Sequence, residues 1–217
     1  MIDNAVDDLN EFFKTMLEYE KVKDRLYVRI QKDCDMGDTP VTRILDWVVT
    51  YHIMLGEPED KMLLSGQVSK SLFDSFGVSL ERMHNNALLS SQRLFPASCE
   101  RMLDVLMPNA GYGFNSQLSD GNGFEMLVIT NSRRSFGASS ILYPEMLKRI
   151  YEQFNDEFYI LPSSVHEVLA VPARDKDPAE LAQIVRAVNR AEVIEEEQLS
   201  DHVYHYSLKT DCLEIAA

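Results

Sequence analysis

Pro162 constrains the fold of this chain more than any other residue. It divides a long hydrophobic stretch, Phe158 to Val171, into two pieces. A proline donates no backbone N–H and is not accommodated inside a central strand. Phe158 to Leu161 and Val165 to Val171 therefore read as two strands joined at a turn. Directly after them, Asp177-Pro178-Ala179-Glu180 has the form of a helix start, capping-box-like with proline at the first helical position. Leu181, Ile184, Val185 and Val188 then keep a 3.6-residue period. Strands followed at once by an amphipathic helix require sheet and helix layers around a shared core.

The rest of the chain repeats that alternation. Asp3 to Lys23 predicts an opening helix, with Val6, Leu9, Phe13 and Met16 on one face. Leu26 to Ile30 reads as a strand, and Asp33 to Pro40 as a polar turn. Leu45 to Leu55 is β-branched and aromatic, with Trp47, Val49, Tyr51, Ile53 and Leu55 at period two, and predicts a long strand; the run also tolerates a helical reading. Met62 to Leu64 predicts a short strand. Val68, Leu72, Phe73 and Phe76 mark a helix stopped by Gly77, and Ser79 caps another that runs to about Ser91. Cys99, Met102, Leu103 and Leu106 mark a further helix ended by Pro108. Phe124 to Ile129 resumes as a strand. Pro144 opens a helix that packs Met146, Leu147, Ile150, Tyr151 and Phe154 inward, and Val203 to Tyr206 with Cys212 to Ile215 forms a closing hairpin.

The fold class expected is therefore α/β (α+β-like): a mixed β-sheet with helices packed on it, in two linked halves. Residues 109–123 hold four of the nine glycines together with Asn, Ser and Asp, which marks them as a linker. The halves are then 1–108 and 124–217. Leu94-Phe95-Pro96-Ala97-Ser98 faintly echoes Ile160-Leu161-Pro162-Ser163-Ser164, the trace an internal duplication would leave.

Composition narrows function more than fold. At 217 residues the chain needs no disulfide or metal to fold, since a domain of this size buries roughly 70% of its unfolded surface. A net charge of −14 disfavours a general phosphate-binding surface, so nucleic acid is not an expected partner. Only a basic face built from Arg25, Arg29, Arg133 and Arg134 would revive it. Cys34, Cys99 and Cys212 are odd in number and far apart, which fits reduced thiols in a cytoplasmic protein rather than a zinc site. The N-terminus carries acids where a signal peptide needs bases, and no apolar run reaches membrane-spanning length.

Four series carry a family resemblance. Leu127-Val128-Ile129-Thr130-Asn131, Phe136-Gly137-Ala138-Ser139-Ser140-Ile141-Leu142-Tyr143 and the stretch from Phe158 to Val168 occur in this order, followed by Leu199-Ser200-Asp201-His202-Val203-Tyr204. Together they resemble a bacterial family known as domain of unknown function 5688. The match is good over the second half and weaker through Asp46 to Tyr51 and Leu80 to Pro96, as if the family's N-terminal portion were shortened or absent. The resemblance implies an α/β domain in a bacterial cytosol and implies no activity.

The densest chemistry is Ser163-Ser164-Val165-His166-Glu167. On a strand, Ser164 and His166 share a face while Glu167 points away, and Cβ atoms two residues apart are about 6–7 Å from each other. A serine–histidine pair would need a third group to orient the imidazole, with Asp201 or Glu157 as candidates. The plainer reading has these side chains capping the turn after Pro162 and tying strands together. For a metal, Ala170 stands where a His-Glu-x-x-His motif needs its second histidine, and His202 and His205 would have to fold back to help. Asn131, Arg133, Arg134 and Gly137 lie in a locally basic loop after a strand, suited to an anion or to a solvated turn. Gly111-Tyr112-Gly113 reads as linker first, and Glu192 to Glu197 as a solvated helix end.

The function expected is that of a non-enzymatic cytoplasmic module that binds a protein or small ligand, without metal or cofactor. Its site is expected at Asn131, Arg133, Arg134, Gly137, Ser163, Ser164 and His166. The alternative is a hydrolase with Ser164 as nucleophile and His166 as base, Glu167 being a further catalytic candidate. The sequence leaves oligomeric state open.

Overall fold

The computed structural model of the chain describes residues 18–56, 63–107 and 125–217. Most of the expected opening helix, the linker 109–123, and Met62, Pro108 and Phe124 lie outside the described residues. A helical turn α1 (Tyr19–Val22) leads into the first sheet, made of β1 (Leu26–Lys32), β2 (Val41–Ile44), β3 (Trp47–Gly56) and β4 (Leu64–Gln67). Helices α2 (Lys70–Phe76) and α3 (Leu80–Leu94) follow, then β5 (Ala97–Arg101) and the short α4 (Met102–Leu106). The second sheet continues with β6 (Leu127–Asn131), β7 (Phe158–Leu161), β8 (Val168–Pro172), β9 (Tyr204–Ser207) and β10 (Cys212–Ile215). Helix α5 (Met146–Phe154) precedes β7, and α6 (Pro178–Glu192) follows β8. The fold is α/β, its strands divided between two antiparallel sheets.

In the first sheet β3 is central. It pairs with β1 from Leu26↔Ile53 to Lys32↔Trp47, and with β2 and β4 through Val41↔Thr50 and His52↔Gln67. Trp47, Val49, Tyr51 and Ile53 are buried at period two as expected, but Leu55 is exposed. Val48, Thr50 and His52 are buried as well, so β3 is covered on both faces. The strand starts at Trp47 because Leu45, at φ +56°, turns the chain back from β2. The outer edge of β1 is closed by side chains: the Val28 N–H donates to Ser91 Oγ at 2.9 Å, and the Ser90 hydroxyl donates to the Leu26 carbonyl. Two α3 serines thus satisfy backbone groups that a neighbouring strand would otherwise take.

The second sheet runs β10-β9-β7-β8-β6-β5. Alternation along β7 sends Phe158 and Ile160 into one core with Trp47, Met83, Ile129, Ile150 and Tyr204, and Leu161 into another beneath α6 with Val171, Ala182, Val185 and Val203. The larger core draws from both sheets and from α3 and α5. Among the described residues no helix is long and apolar enough to cross a membrane.

Local chemistry explains the helix ends. Ser69 Oγ accepts the Leu72 N–H at 3.3 Å and Gly77, at φ +62°, closes α2. Ser79 Oγ accepts the Arg82 N–H at 3.2 Å, and Asp177 accepts the Ala179 N–H at 2.8 Å. Several expectations are corrected. Cys99 lies on strand β5, so the helix expected there starts only at Met102, because residues 97–101 pair with β6 from Ala97↔Asn131 to Arg101↔Leu127. Pro144 precedes α5, whose N-cap Glu145 has φ +64°. Helix α6 is rotated: Ala182, Val185 and Asn189 are buried while Ile184 and Val188 are exposed. Asn189 is drawn inward because its amide donates to the Ser200 carbonyl at 2.9 Å and to Asp201 Oδ1 at 2.8 Å. The echo of Leu94 to Ser98 is not structural, since Pro96 joins a helix to a strand whereas Pro162 ends a strand.

One polar junction binds the two sheets together. Asp46, in the β2–β3 turn, accepts hydrogen bonds from the Tyr204 hydroxyl at 2.7 Å, the Ser200 hydroxyl at 2.7 Å and His202 Nδ1 at 3.0 Å. Burial alone would raise the Asp46 carboxyl, but these three donors outweigh it and hold the group below its ordinary range. The Tyr204 ring also packs on Trp47, with centroids 4.4 Å apart. Tyr204→Phe keeps that packing and removes one donor, so it is expected to cost about 1–2 kcal/mol. Urea midpoints read the loss, and an unchanged midpoint would show that the junction does not need this hydroxyl.

Candidate functional site

The connection 162–167 between β7 and β8 is a turn, and the strand expected from Val165 starts at Val168. Its backbone groups find partners other than a sheet ladder. Ser164 Oγ accepts the His166 N–H at 3.0 Å, a hydroxyl-to-backbone turn. The Ser164 N–H donates to the Glu167 carbonyl at 3.1 Å, and the Val165 N–H to the Glu197 carbonyl at 2.9 Å. Ser164 is buried by this arrangement.

The loop after β6 is organised by one side chain. Asn131 is buried; its Oδ1 accepts the Arg133 N–H at 3.0 Å and its Nδ2 donates to the Ser135 carbonyl at 3.0 Å. Arg134 and Phe136 both take left-handed backbone, at φ +52° and +49°. Two such residues without glycine's freedom in one short loop need surrounding structure to hold them.

That structure is the turn 162–167. The Phe136 N–H donates to His166 Nδ1 at 3.1 Å, the Thr130 hydroxyl to the His166 carbonyl at 2.8 Å, and the Ala138 N–H to the Val165 carbonyl at 3.2 Å. Gly137 passes through the narrowest point, where a Cβ would lie 2.5 Å from the Asn131 amide nitrogen and 2.7 Å from the His166 carbonyl oxygen. Loop and turn are stitched into one unit.

This stitching fixes the imidazole. Because Nδ1 accepts a backbone N–H, the proton of the neutral ring sits on Nε2, 3.2 Å from Glu197 Oε1. The ring nitrogen that would act as a base is therefore occupied, and the Ser164 hydroxyl oxygen is engaged by its own turn rather than by the imidazole. A nucleophile–base pair needs hydrogen-bond contact, which these two side chains do not make. The third group on His166 is Glu197, not Asp201, which holds Asn189, nor Glu157, which holds Ser207 and His205. Glu197 belongs to the acidic run, and no spacing rule links it to a histidine 31 positions earlier. His166→Ala removes both imidazole contacts and is expected to cost about 1–2 kcal/mol in urea denaturation. No loss would mean that the ring does not hold the loop.

His202 and His205 point to separate carboxylates: Asp46 for the first, Glu157 at 3.2 Å for the second. Among the described residues no group of three or more His, Cys, Asp or Glu has the arrangement of a metal site. The four arginines do not share one role either. The Arg29 guanidinium lies over the Phe136 ring at 3.8 Å and donates to the Tyr27 hydroxyl at 2.8 Å, while Arg134 pairs with Glu100 at 3.3 Å.

Beside the stitched unit lies a cleft of about 140 Å³. Edge strand β5 and α4 supply Ser98, Glu100, Met102 and Val105; β6 supplies Val128 and Thr130; the loop supplies Arg134; and the turn with β8 supplies Ser163, Glu167 and Leu169. The Ser98 hydroxyl and Arg134 both engage Glu100. Of the residues singled out from sequence, Arg134, Ser163 and Glu167 come together here. Asn131, Gly137, Ser164 and His166 stand behind them as the support, and Arg133 takes part in the loop through its N–H. Ser98 and Glu100 were not legible, because a helix assigned from Cys99 onward hides the edge strand that presents them, and Met102 and Val105 of α4 read only as part of that helix. A larger groove of about 380 Å³, lined by Ile44, Leu45, Ile141 and Leu213 among others, contains none of the expected site residues.

No curated protein and no solved structure matches the chain. The model of one family, described as a family of unknown function (DUF5688), matches residues 1–208, so the likeness extends through the first half as well as the second. Its reach over nearly the whole length places the chain in that family: it is a member of the family of unknown function DUF5688.

Proposed function

We propose that the chain is a non-enzymatic cytoplasmic binding module whose working surface is the cleft between β5, the loop 132–136 and the turn 162–167. The observation that carries this reading is the division of labour among the polar residues. Asn131, Ser164 and His166 spend their hydrogen bonds on holding loop and turn together. The Ser163 and Glu167 side chains line the cleft and have no hydrogen-bond or ion-pair partner among the described residues. A rigid support that presents unengaged polar groups beside apolar walls is the architecture of a ligand site. A hydrolase using Ser164 and His166 lacks the contact it requires.

The test is a fragment screen read by methyl NMR. Hits are expected to perturb Met102, Val105 and Leu169 together, and filling the cleft with Val105→Trp is expected to abolish them. Hits that gather instead at Ile44 and Leu213, or that survive the tryptophan, would sink this reading.

A further inference from the structure

We infer that the cleft takes a primary aliphatic ammonium, an inference that rests on the cleft being the working surface. Three observations converge on that class. The first is charge. Glu100 and Glu167 line the cleft against a single cation, Arg134, and Arg134 is already paired with Glu100. Glu167 is the carboxylate left over. A carboxylate or phosphate ligand would meet an uncompensated negative charge, whereas a cation would neutralise it. The net charge of −14 further raises the local concentration of cations.

The second is hydrogen-bond sense. An ammonium has three N–H donors and no acceptor. Ser98, Glu100 and Arg134 bond one another, which leaves the Glu167 carboxylate, the Ser163 hydroxyl and the Thr130 hydroxyl for a ligand. Thr130 already donates its proton to the His166 carbonyl at 2.8 Å, so toward a ligand its oxygen acts only as an acceptor. Glu167 accepts only while ionised, and Ser163 is free to accept. The set is weighted toward acceptors, which matches a pure donor.

The third is size and wall chemistry. The apolar lining is Met102, Val105, Val128 and Leu169, a surface for an alkyl chain. A cleft of about 140 Å³ walled this way has room for a short alkyl chain. Butylammonium is such a chain with its cation at one end, and it is also the end of a lysine side chain. Free alkylamines and lysine side chains share this chemistry.

The experiment uses the full chain with labelled methionine methyls. The probes are n-butylammonium, N-acetyl-lysine methylamide and the neutral N-acetyl-norleucine methylamide. Both cationic probes are expected to shift the Met102 methyl, more weakly as salt is added, while the neutral probe binds at least about tenfold more weakly. Tighter binding of the capped lysine identifies a polypeptide side chain as the natural source, and tighter binding of butylammonium identifies a free amine. Glu167→Gln is expected to weaken both cations about tenfold with no change in urea midpoint, because Glu167 makes no side-chain bond within the described fold. If the neutral probe binds as well as the cations, or Glu167→Gln changes nothing, the ammonium inference is overturned and the cleft stands as the binding surface. If no probe of either charge moves Met102 and the fragment screen also leaves the cleft silent, both fall.

Discussion

Gly137→Ala is expected to cost about 4 kcal/mol of stability, enough to leave much of the chain unfolded. The cause is space rather than backbone angle. An added Cβ would overlap Thr130 Oγ1, and would lie 2.5 Å from the Asn131 amide nitrogen and 2.7 Å from the His166 carbonyl oxygen. Two of those three atoms are backbone, so no rotamer change relieves the clash. Moving either one breaks the bonds that join β6 and its loop to the turn 162–167, including Thr130 to His166 and Phe136 to His166. Gly77→Ala is the contrasting control. Gly77 has φ +62° with open space around its Cβ position, so only the left-handed backbone penalty of about 1 kcal/mol applies. Urea denaturation of the two variants beside wild type separates the causes. A Gly137→Ala loss no larger than that of Gly77→Ala would show that the close approach relaxes easily.

The second large effect is loss of stability in mild acid through His52. This histidine is 9% exposed on β3, with Nε2 3.0 Å from Thr50 Oγ1 and its ring against Tyr27. Burial, and then the nearby Arg29 charge, push its pKa down from 6.5 to about 3. Between those values the unfolded chain binds a proton that the folded chain refuses. Stability is therefore complete above pH 6.5 and falls as the pH drops through that window, by about 2 kcal/mol at pH 5. Burial lowers His84 as well, which adds in the same direction. Asp46 acts in a separate window: with its folded pKa depressed, its contribution is present above the unfolded carboxylate value and disappears only in stronger acid. His52→Gln keeps an amide for Thr50 but cannot titrate. Its urea midpoint is expected to change much less than wild type between pH 7 and pH 5; if the two curves run parallel, His52 is not the acid-sensitive group.

Parts of this fold can be read locally. Gly77, Ser79 and the Asp177-Pro178 pair mark helix ends through their own hydrogen bonds and backbone preferences, and those ends lie where expected. Alternation along Trp47, Val49, Tyr51 and Ile53 marks a strand because one face must leave water. Strand β5 carries no such mark. Ala-Ser-Cys-Glu-Arg is polar and uniformly half-buried up to Arg101, and it is a strand because β6 lies alongside. Asn189 likewise sits on the buried face of α6 against its polarity, held there by Ser200 and Asp201.

The candidate site divides in the same way. Polar residues gathered at strand ends pointed from the sequence to Arg134, Ser163 and Glu167, since loops at the ends of a scaffold are where side chains are free to meet a ligand. Which of the neighbouring residues support the site and which line it was decided only by tertiary contacts. His166 reads as a base until Phe136 and Glu197 occupy its two nitrogens, and Ser164 reads as a nucleophile until its own turn engages it. By itself the sequence determined the class of fold, the helix ends that carry a cap or a glycine stop, the principal strands and the family. The tertiary structure decided the sheet edges, the buried face of α6 and which polar residues line the cleft and which bond behind it. The physical reason is range: caps and periodicity act within a few residues, whereas the bonds that define the cleft join positions 30 or more apart.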